Sequence, residues 1–305
     1  MDDELIQFKD VTKRFGKNTV LNSINLTIPE GKITGIIGAS GEGKSTVLKM
    51  MTSFYKPTKG KIYYLRRDIL KDMGNITQFF GLAIEDGSFY EKLSVKENLY
   101  HFGRLYEVKR KLLKTRTEEI MSLLGLTKAE NTLAKDLSIG MKKRLDIGCS
   151  LIHNPSILIL DEPTADLDPL LREQMIDLLK RINSHKTTII LTTQLLEEAD
   201  KICDKVAILY NEKIIEEDSP RKIREKYGCD NLTDVFNKIF SKKDRITYQE
   251  SSQEKSHLDL LQKKVEKKES LISGTEKLEK EFEDIPTIDE VKEDIKIDEI
   301  KNNGN

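Results

Sequence analysis

The sequence predicts an α/β fold built around a mostly parallel β-sheet, and three short apolar runs are the main reason. Ile33–Ile37, Ile157–Leu160 and residues 188–191 are continuous runs of apolar or β-branched side chains. Runs of this length are typical of strands that are buried on both faces, as in a parallel sheet covered by helices. Helical patterning lies between the first and the second run, so we expect helices to be inserted there.

Shorter signals place the other elements along the chain. Residues 5–8 and 24–28 alternate apolar and polar side chains, which predicts two further strands. A turn at residues 29–32 leads into Ile33–Ile37, and residues 46–51 predict a helix. From about residue 94 to 135 the pattern is helical, and Ser94 with Glu97 matches the Ser-x-x-Glu capping box. Asp168 suits the N-cap of a helix that starts near Pro169.

Length and composition narrow the class of protein. The chain has 305 residues, with 51 basic and 52 acidic side chains. A nucleic-acid binder usually carries a basic excess, so this balance argues against that class. No apolar run approaches the roughly 18–20 residues that cross a bilayer, and the acidic start, residues 1–4, does not resemble a signal peptide. Three cysteines without metal-ligand spacing suit reduced thiols in an intracellular protein. We therefore expect a soluble protein, for which any role at a membrane would depend on a partner.

The last 65 residues differ from the rest. Residues 241–305 carry 13 basic and 17 acidic side chains and few large apolar ones, whereas residues 1–240 have a net charge of +3. Such a segment buries too little apolar surface to offset its ordering entropy. We expect a charged, largely disordered tail. The alternative is a short docking helix with Leu258, Leu261, Val265 and Ile272 on one face.

The phosphate-binding signature G-x-x-x-x-G-K-[ST] follows the strand Ile33–Ile37 and precedes a helix, which is the context that this motif requires. Its glycines let backbone N–H groups approach a phosphate, and the helix N-terminus adds a positive dipole. The lysine contacts the β- and γ-phosphates, and the serine hydroxyl is a ligand for Mg²⁺. A turn without a ligand would need neither side chain. The predicted nucleotide-binding residues here are Gly38, Ala39, Ser40, Gly41, Glu42, Gly43, Lys44, Ser45 and Thr46.

A pair of carboxylates follows the second buried run. Asp161 and Glu162 stand at the carboxyl end of Ile157–Leu160, the edge at which ligands gather in open α/β sheets. Asp161 is predicted to hold Mg²⁺ directly or through water. Glu162 is predicted to accept a proton from the attacking water, a role worth about 10²–10⁴ in rate. The alternative, an acidic helix cap, explains Asp168 better than Asp161.

Together with two more motifs, these residues resemble the ATP-binding subunit of ABC transporters over residues 4 to about 240. The family's signature motif is similar to residues 137–145, LSIGMKKRL, and its Walker B and D-loop are similar to residues 161–168, DEPTADLD. An ordered set of this kind is far more specific than a lone phosphate loop. A weaker resemblance links residues 231–236, NLTDVF, to the ending of the drug-export type.

The resemblance implies a P-loop NTPase core in residues 1–240, with an antiparallel β subdomain and a helical subdomain inserted at about residues 94–150. It implies ATP and Mg²⁺ as cofactors and a homo- or heterodimer that holds two ATPs. Each ATP would lie between the Lys44 loop of one copy and Ser138, Gly140 and Met141 of the other. Phe15 matches the position that stacks on adenine, although a core phenylalanine is the alternative. A separate transmembrane subunit would contact residues 85–94, which places the chain in the cytoplasm, on the inner face of the cell membrane.

Three positions depart from the family pattern. Ile139 replaces the first glycine of the signature, and a β-branched side chain tolerates a positive φ badly. Gln194 stands where the family has its switch histidine. Its amide can donate a hydrogen bond but cannot take up a proton or carry a positive charge. Glu85 occupies the position of the Q-loop glutamine, as a candidate Mg²⁺ ligand that adds negative charge near the γ-phosphate. Gln78 is the alternative for that role after a loop rearrangement.

Three functions follow from these residues. The leading hypothesis is an ATPase that powers a membrane export complex, because Glu162 is retained. The second is a nucleotide-binding module that switches on ATP with little hydrolysis and pairs with an active partner. The third, an ABC protein of translation or DNA repair, usually needs two cassettes or a coiled-coil insertion.

Overall fold

The structure, a computed structural model, describes residues 4–72, 76–84 and 87–239. The predictions for the tail at 241–305 and for Glu85 concern residues outside these ranges.

Two β-sheets form the frame of the molecule. A four-stranded antiparallel sheet has the order β2-β1-β4-β5, and a six-stranded sheet has the order β10-β9-β3-β8-β7-β6. In chain order the strands are β1 (Glu4–Phe15), β2 (Asn18–Pro29), β3 (Ile33–Ile37), β4 (Lys59–Tyr64), β5 (Arg67–Asp68), β6 (Phe80–Ala83), β7 (Ile157–Leu160), β8 (Thr188–Thr193), β9 (Lys205–Tyr210) and β10 (Lys213–Asp218).

The six-stranded sheet is parallel except for β10, which pairs antiparallel with β9. Every residue of β3, β7 and β8 is buried, as expected for a sheet with both faces covered. The predicted α/β fold with a mostly parallel sheet is therefore confirmed. Since β3, β8 and β7 are neighbours with the same direction, the segments that follow them emerge at one edge of the sheet.

Eight α-helices are described. In chain order they are α1 (Lys44–Met51), α2 (Val95–Leu105), α3 (Arg110–Leu124), α4 (Ile139–Leu151), α5 (Pro169–Ser184), α6 (Leu196–Ile202), α7 (Pro220–Tyr227) and α8 (Leu232–Ile239). Helices α2, α3 and α4 lie between β6 and β7 in the chain, so helices are inserted between the first and second buried runs as predicted. They share a core with the large sheet that includes Leu99, Ile120, Leu124 and Leu145.

Local sequence signals account for several helix starts. Ser94 and Glu97 form the predicted capping box, with each side chain accepting from the other residue's backbone N–H. Asp168 caps α5 by accepting from the N–H of Leu171 at 2.9 Å. Pro169 occupies the first helical position, where its fixed φ suits a helix and no N–H is required.

Strands β1 and β2 are much longer than their alternating cores at residues 5–8 and 24–28 predict. Each has 12 residues, and their pairing is interrupted by register shifts. Asp10 and Ser23, which lie near these shifts, have positive φ values of 49° and 52°. A bulge breaks the alternation of side chains between the two faces of a strand, so a search for strict alternation finds only part of each strand.

Among the described residues, no helix is both long and apolar enough to span a bilayer.

The thiols of Cys149, Cys203 and Cys229 are free. Burial raises the pKa values of Cys149 and Cys203 well above that of an ordinary thiol, so both are poor nucleophiles.

Candidate active site

The candidate site lies at the carboxyl edge of β3, β8 and β7. Pairing of Ile37 with Thr193 and of Leu160 with Leu191 aligns the three strand ends. The phosphate-binding loop follows β3, Asp161 and Glu162 follow β7, and Gln194 follows β8. The topology thus brings together three motifs that are spread over residues 38 to 194 of the chain, at the edge where open α/β sheets bind ligands.

The phosphate-binding loop turns sharply between β3 and α1. Gly41 and Gly43 have φ values of 86° and 100°, which other residues rarely adopt. A Cβ atom on Gly38 would lie 2.6 Å from the carbonyl oxygen of Leu209, so the loop packs directly on β9. Ser45 and Thr46 are the second and third residues of α1, where orphan backbone N–H groups give the helix start a positive potential.

Lys44 is buried and already engaged within the site. Its Nζ donates to the carbonyl oxygens of Gly38 at 2.9 Å and Ala39 at 3.2 Å. It also lies 3.1 Å from Oε1 of Glu162, and both side chains are at most 10% exposed. This ion pair joins the two motifs that the sequence predicts to act on one phosphate.

Glu162 is held in an unusual conformation. Its φ is 48°, in the left-handed region that residues other than glycine seldom adopt. Its backbone N–H donates to Oγ1 of Thr192 at 2.9 Å, and its Oε2 accepts from the backbone N–H of Gln194 at 3.3 Å. These contacts direct the carboxylate toward Lys44 and the end of β8.

Thr192 organises the carboxylate pair, and sequence reasoning missed it. Its hydroxyl donates to Oδ1 of Asp161 at 2.6 Å while it accepts from Glu162. Thr192 and Thr193 are both 0% exposed, and buried hydroxyls almost always have hydrogen-bond partners. Two consecutive threonines at the end of an apolar strand were the available signal.

Glu198 was also missed. This residue of α6 is 2% exposed, and its Oε2 accepts from Thr164 at 2.6 Å and from Thr193 at 2.9 Å. Burial raises the pKa of Glu198, the two hydroxyl hydrogen bonds lower it, and the charge of Glu162 raises it further. Glu198 therefore ties the turn after Glu162 to the end of β8.

Glu42, within the phosphate-binding loop, faces the turn between β9 and β10. Burial raises its pKa, while hydrogen bonds from the backbone of Asn211 and Glu212 and the charge of Lys44 lower it. These bonds anchor the loop to the neighbouring strands.

The donor set fits Mg-ATP. Two left-handed glycines followed by a helix start form a concavity lined with N–H groups, which suits an anion. A hydroxyl at Ser45 and a carboxylate at Asp161 are hard oxygen ligands, of which Mg²⁺ usually takes one or two from protein. Within the described ranges, no cluster of three or more His, Cys, Asp or Glu side chains could hold a metal ion. An all-protein metal cage is therefore not what these residues build.

The signature residues lie at the start of α4. Ser138 is the N-cap and accepts from the N–H of Met141 at 3.4 Å, and a Cβ on Gly140 would lie 3.3 Å from the side chain of Leu171. Ile139 is the first helical residue and is 56% exposed. It is not among the described residues with positive φ, so the expected difficulty with a β-branched side chain there is wrong. Among the described hydrogen bonds, none joins these residues to the phosphate-binding loop of the same chain.

Phe15 ends β1 and is 42% exposed, so the alternative of a core phenylalanine is wrong. Its ring packs edge-on against Tyr55, with centroids 5.0 Å apart. Nζ of Lys13 lies 4.7 Å from the Phe15 centroid and 5.1 Å from that of Tyr55. A role in stacking on adenine stays a prediction.

The structure separates the two candidates for the Q-loop position. Gln78 precedes β6, and it lines a cavity of about 750 Å³ with Ser156 and Thr188, at the amino ends of β7 and β8. That is the opposite edge of the sheet from Asp161, so the alternative role for Gln78 is wrong. Glu85 lies outside the described residues, and its role stays a prediction.

Comparisons with known proteins agree with this geometry. A family model described as ABC transporter matches residues 21–165. The lantibiotic transport ATP-binding protein SrtF of Streptococcus pyogenes is 33% identical over 241 residues, which cover 76% of this chain and 96% of SrtF. The daunorubicin resistance ATP-binding protein DrrA3 of Streptomyces coeruleorubidus is 30% identical, over 77% of this chain and 75% of DrrA3.

A longer relative and two solved structures extend the comparison. The probable multidrug ABC transporter ATP-binding protein YbhF of Escherichia coli is 31% identical over 76% of this chain, which spans only 40% of the length of YbhF. The structure of cbiO1 from Clostridium perfringens matches with a TM-score of 0.68 and 25% identity, over 81% of this chain and 98% of cbiO1. An ATP-binding subunit of an ABC transporter matches with a TM-score of 0.69 and 24% identity, over 77% and 98%.

Proposed function

The chain belongs to the ABC transporter family of ATP-binding subunits, whose members are ATPases coupled to transport, and from this premise we propose how it works. Two copies bind two Mg-ATP molecules between them, and hydrolysis powers a membrane export complex through a separate transmembrane subunit. The observation that carries the proposal is the convergence of Lys44, Asp161, Glu162 and Gln194 at one sheet edge.

Each residue has a distinct task in the proposed reaction. Lys44 exchanges its carboxylate partner for the β- and γ-phosphates, and Ser45 and Asp161 would hold Mg²⁺. The metal, when bound with ATP, neutralises charge that develops on the phosphates. Glu162 accepts a proton from the attacking water once Lys44 no longer pairs with it. Gln194 donates an amide hydrogen bond to the γ-phosphate.

A second copy is proposed because the signature residues face outward. Ser138 and Ile139 are exposed at the start of α4, and Leu170, just after the D-loop, is 69% exposed. In the proposed dimer these surfaces meet the phosphate-binding loop of the other copy. A heterodimer with a related subunit would use the same contacts.

Export and membrane attachment rest on the relatives and on one loop. The names of SrtF, DrrA3 and YbhF refer to lantibiotic transport, daunorubicin resistance and multidrug transport. In residues 87–94, Tyr90 is 45% exposed and its backbone is fixed by Asn98. We propose that this loop contacts the transmembrane subunit at the cytoplasmic face of the cell membrane.

Gln194 favours a second candidate, a module that binds ATP, hydrolyses little and pairs with an active partner. An amide in place of an ionisable side chain removes one proton carrier from the site. Retention of Glu162 in contact with Lys44 favours hydrolysis.

Steady-state Mg-ATP hydrolysis by the purified chain distinguishes the two. We expect Glu162→Gln to lower kcat by about 10²–10⁴ with ATP binding retained. Glu173→Gln, which removes an exposed carboxylate of α5 that pairs with Lys201, is the matched control and should leave kcat unchanged. Wild-type hydrolysis equal to that of Glu162→Gln, with ATP bound, would favour the second candidate.

A further inference from the structure

Helix α4 has two halves with different surroundings. Apart from Gly140, residues 139–144 are exposed or half-buried, whereas residues 145–151 are all buried. The outward half carries the signature residues, and the buried half lies against the large sheet. Asp146 stands where the buried half begins, eight residues and about 12 Å along the helix from Ser138.

Polar contacts fix the buried half of α4 to β6 and to the chain that follows β6. Ser150 Oγ donates to the carbonyl oxygen of Leu82 at 2.7 Å. Just after the helix, Nε2 of His153 lies 3.0 Å from the carbonyl oxygen of Phe80. A Cβ on Gly81 would lie 2.2 Å from the Ser150 carbonyl oxygen, so the two backbones are in direct contact. These contacts hold α4 to the strand itself.

Asp146 makes a different contact, to the loop beyond the strand. Its Oδ1 accepts from the backbone N–H of Ser88 at 2.7 Å. A second anchor of residues 87–94 is Asn98 at the start of α2, which accepts from the N–H of Tyr90 at 2.7 Å and donates to its carbonyl at 3.0 Å. Backbone N–H groups of residues 134 and 135 also donate to the carbonyls of Leu93 and Glu91, at 2.9 Å and 3.0 Å. Among these anchors, Asp146 is the side chain that lies within the helix that carries Ser138.

We propose that Asp146 is a positioning residue, which ties the loop at residues 87–94 to α4 so that movement of the loop is passed to Ser138 and Gly140. The inference rests on the proposed function, in which that loop meets a transmembrane subunit and α4 meets the ATP of another copy. A buried carboxylate is a costly way to fill space. Its directed bond to a loop N–H gives it a use that an apolar side chain would lack.

Hydrogen–deuterium exchange of the full chain without nucleotide tests the link itself. We expect Asp146→Ala to speed amide exchange at residues 87–94 and in the first turns of α4 by about tenfold or more, as loss of a charge-assisted hydrogen bond implies. Asp146→Asn keeps an acceptor for Ser88 and should restore protection to within about threefold. The matched control is Ser150→Ala, which removes one α4–β6 bond and should leave residues 87–94 unchanged. Equal effects of Ser150→Ala and Asp146→Ala, or no effect of Asp146→Ala, would overturn the proposal.

ATP-driven dimerisation tests the consequence. In a Glu162→Gln background, sedimentation velocity with Mg-ATP should show that Asp146→Ala weakens dimerisation by about tenfold or more. Nucleotide affinity, measured at protein concentrations too low for dimers, should change less than twofold. Weaker nucleotide binding in proportion to weaker dimerisation would overturn a positioning role. A Glu162→Gln parent that neither binds ATP nor dimerises would instead contradict the proposed function, and the exchange experiment would still decide whether Asp146 fixes the loop.

Discussion

Gln194 offers a test of the active site at the scale of one residue, because its main chain and its side chain have separate tasks. The backbone N–H contacts Glu162, and a substitution leaves that contact in place. We expect Gln194→His to raise kcat by about tenfold or more, since an imidazole can carry a proton near the γ-phosphate and an amide cannot. Steady-state kinetics should show little change in KM. An equal gain in a Glu162→Gln background would show that Glu162 is not the base.

Asp146 gives a second residue-scale prediction, through the pH dependence of stability. Burial raises its pKa to about 6, against the effects of hydrogen bonds from Ser88 and the charge of Lys143. The other titratable groups on elements near it are the Cys149 thiol, the Tyr106 hydroxyl and the carboxyl group of Asp161.

The direction of this pH dependence follows from proton uptake by the folded state. Between the unfolded pKa near 3.8 and the folded value of about 6, the folded state binds the extra proton, so the contribution of Asp146 to stability falls as pH rises. The two-unit shift corresponds to on the order of 3 kcal/mol lost by pH 7. We expect the free energy of unfolding of wild type, relative to Asp146→Asn, to fall from pH 4 to pH 7 in urea titrations. A constant difference across that range would contradict the raised pKa.

Residue patterns predict side chains that belong to a motif and miss those that act through space. Lys44 and Glu162 were predicted from the sequence because each residue type suits a place beside a phosphate, and that role stays a prediction. Their ion pair at 3.1 Å, and the bond of Thr192 to Asp161, depend on β7 and β8 being neighbours. A single sequence does not show which strands are neighbours in the sheet.

At the scale of elements, the contact between α4 and β6 sets a strict size limit at Gly81. We expect Gly81→Ala to lower the free energy of unfolding by about 3 kcal/mol, because the new Cβ would overlap a backbone oxygen that cannot move alone. Gly16→Ala is the control, since Gly16 has open space around it but a φ of 58°, and should cost about 1 kcal/mol. Urea unfolding at 25 °C measures both. A smaller cost at Gly81 than at Gly16 would show that α4 and β6 can separate easily.

Strands were predictable where one pattern of apolar side chains runs along the whole strand, and only in part where that pattern changes. The apolar runs of β3 and β7 were predicted to the residue because both of their faces are buried. Bulges hid more than half of β1 and β2. Gln78 shows a different limit, since the sequence left it open as the alternative to Glu85, and only the direction of β6 shows that it lies at the far edge.

At the scale of the whole molecule, the separation between the phosphate-binding loop and the start of α4 has a consequence for assembly. The loop follows β3 at the edge of the sheet, whereas Ser138 and Ile139 are exposed at the outer end of α4. In the proposed dimer the two contact one ATP from different copies, and identical copies would be related by a two-fold axis. Stability of one chain and dimerisation should then be separable by substitution.

Ile139 is the position at which a substitution should separate the stability of one chain from dimerisation most clearly. It is 56% exposed at the first position of α4, where an acidic side chain favours the helix by about 0.3–1 kcal/mol. We therefore expect Ile139→Asp to keep or slightly raise the Tm. The same carboxylate would face the γ-phosphate held by the other copy, and repulsion of about 4 kcal/mol at 4 Å and an effective dielectric of 20 corresponds to roughly 10³-fold weaker ATP-driven dimerisation.

The measurement is sedimentation velocity with Mg-ATP in the Glu162→Gln background, alongside thermal unfolding of each variant. Leu112→Asp is the control, because it places the same charge on α3 at a site that is 59% exposed, and it should dimerise like the parent. Dimerisation of Ile139→Asp equal to that of Leu112→Asp would place the signature end of α4 outside the interface. Loss of dimerisation in both would point to net charge rather than position. Loss in Ile139→Asp alone, with Tm unchanged, requires that α4 of one copy approach the nucleotide of the other.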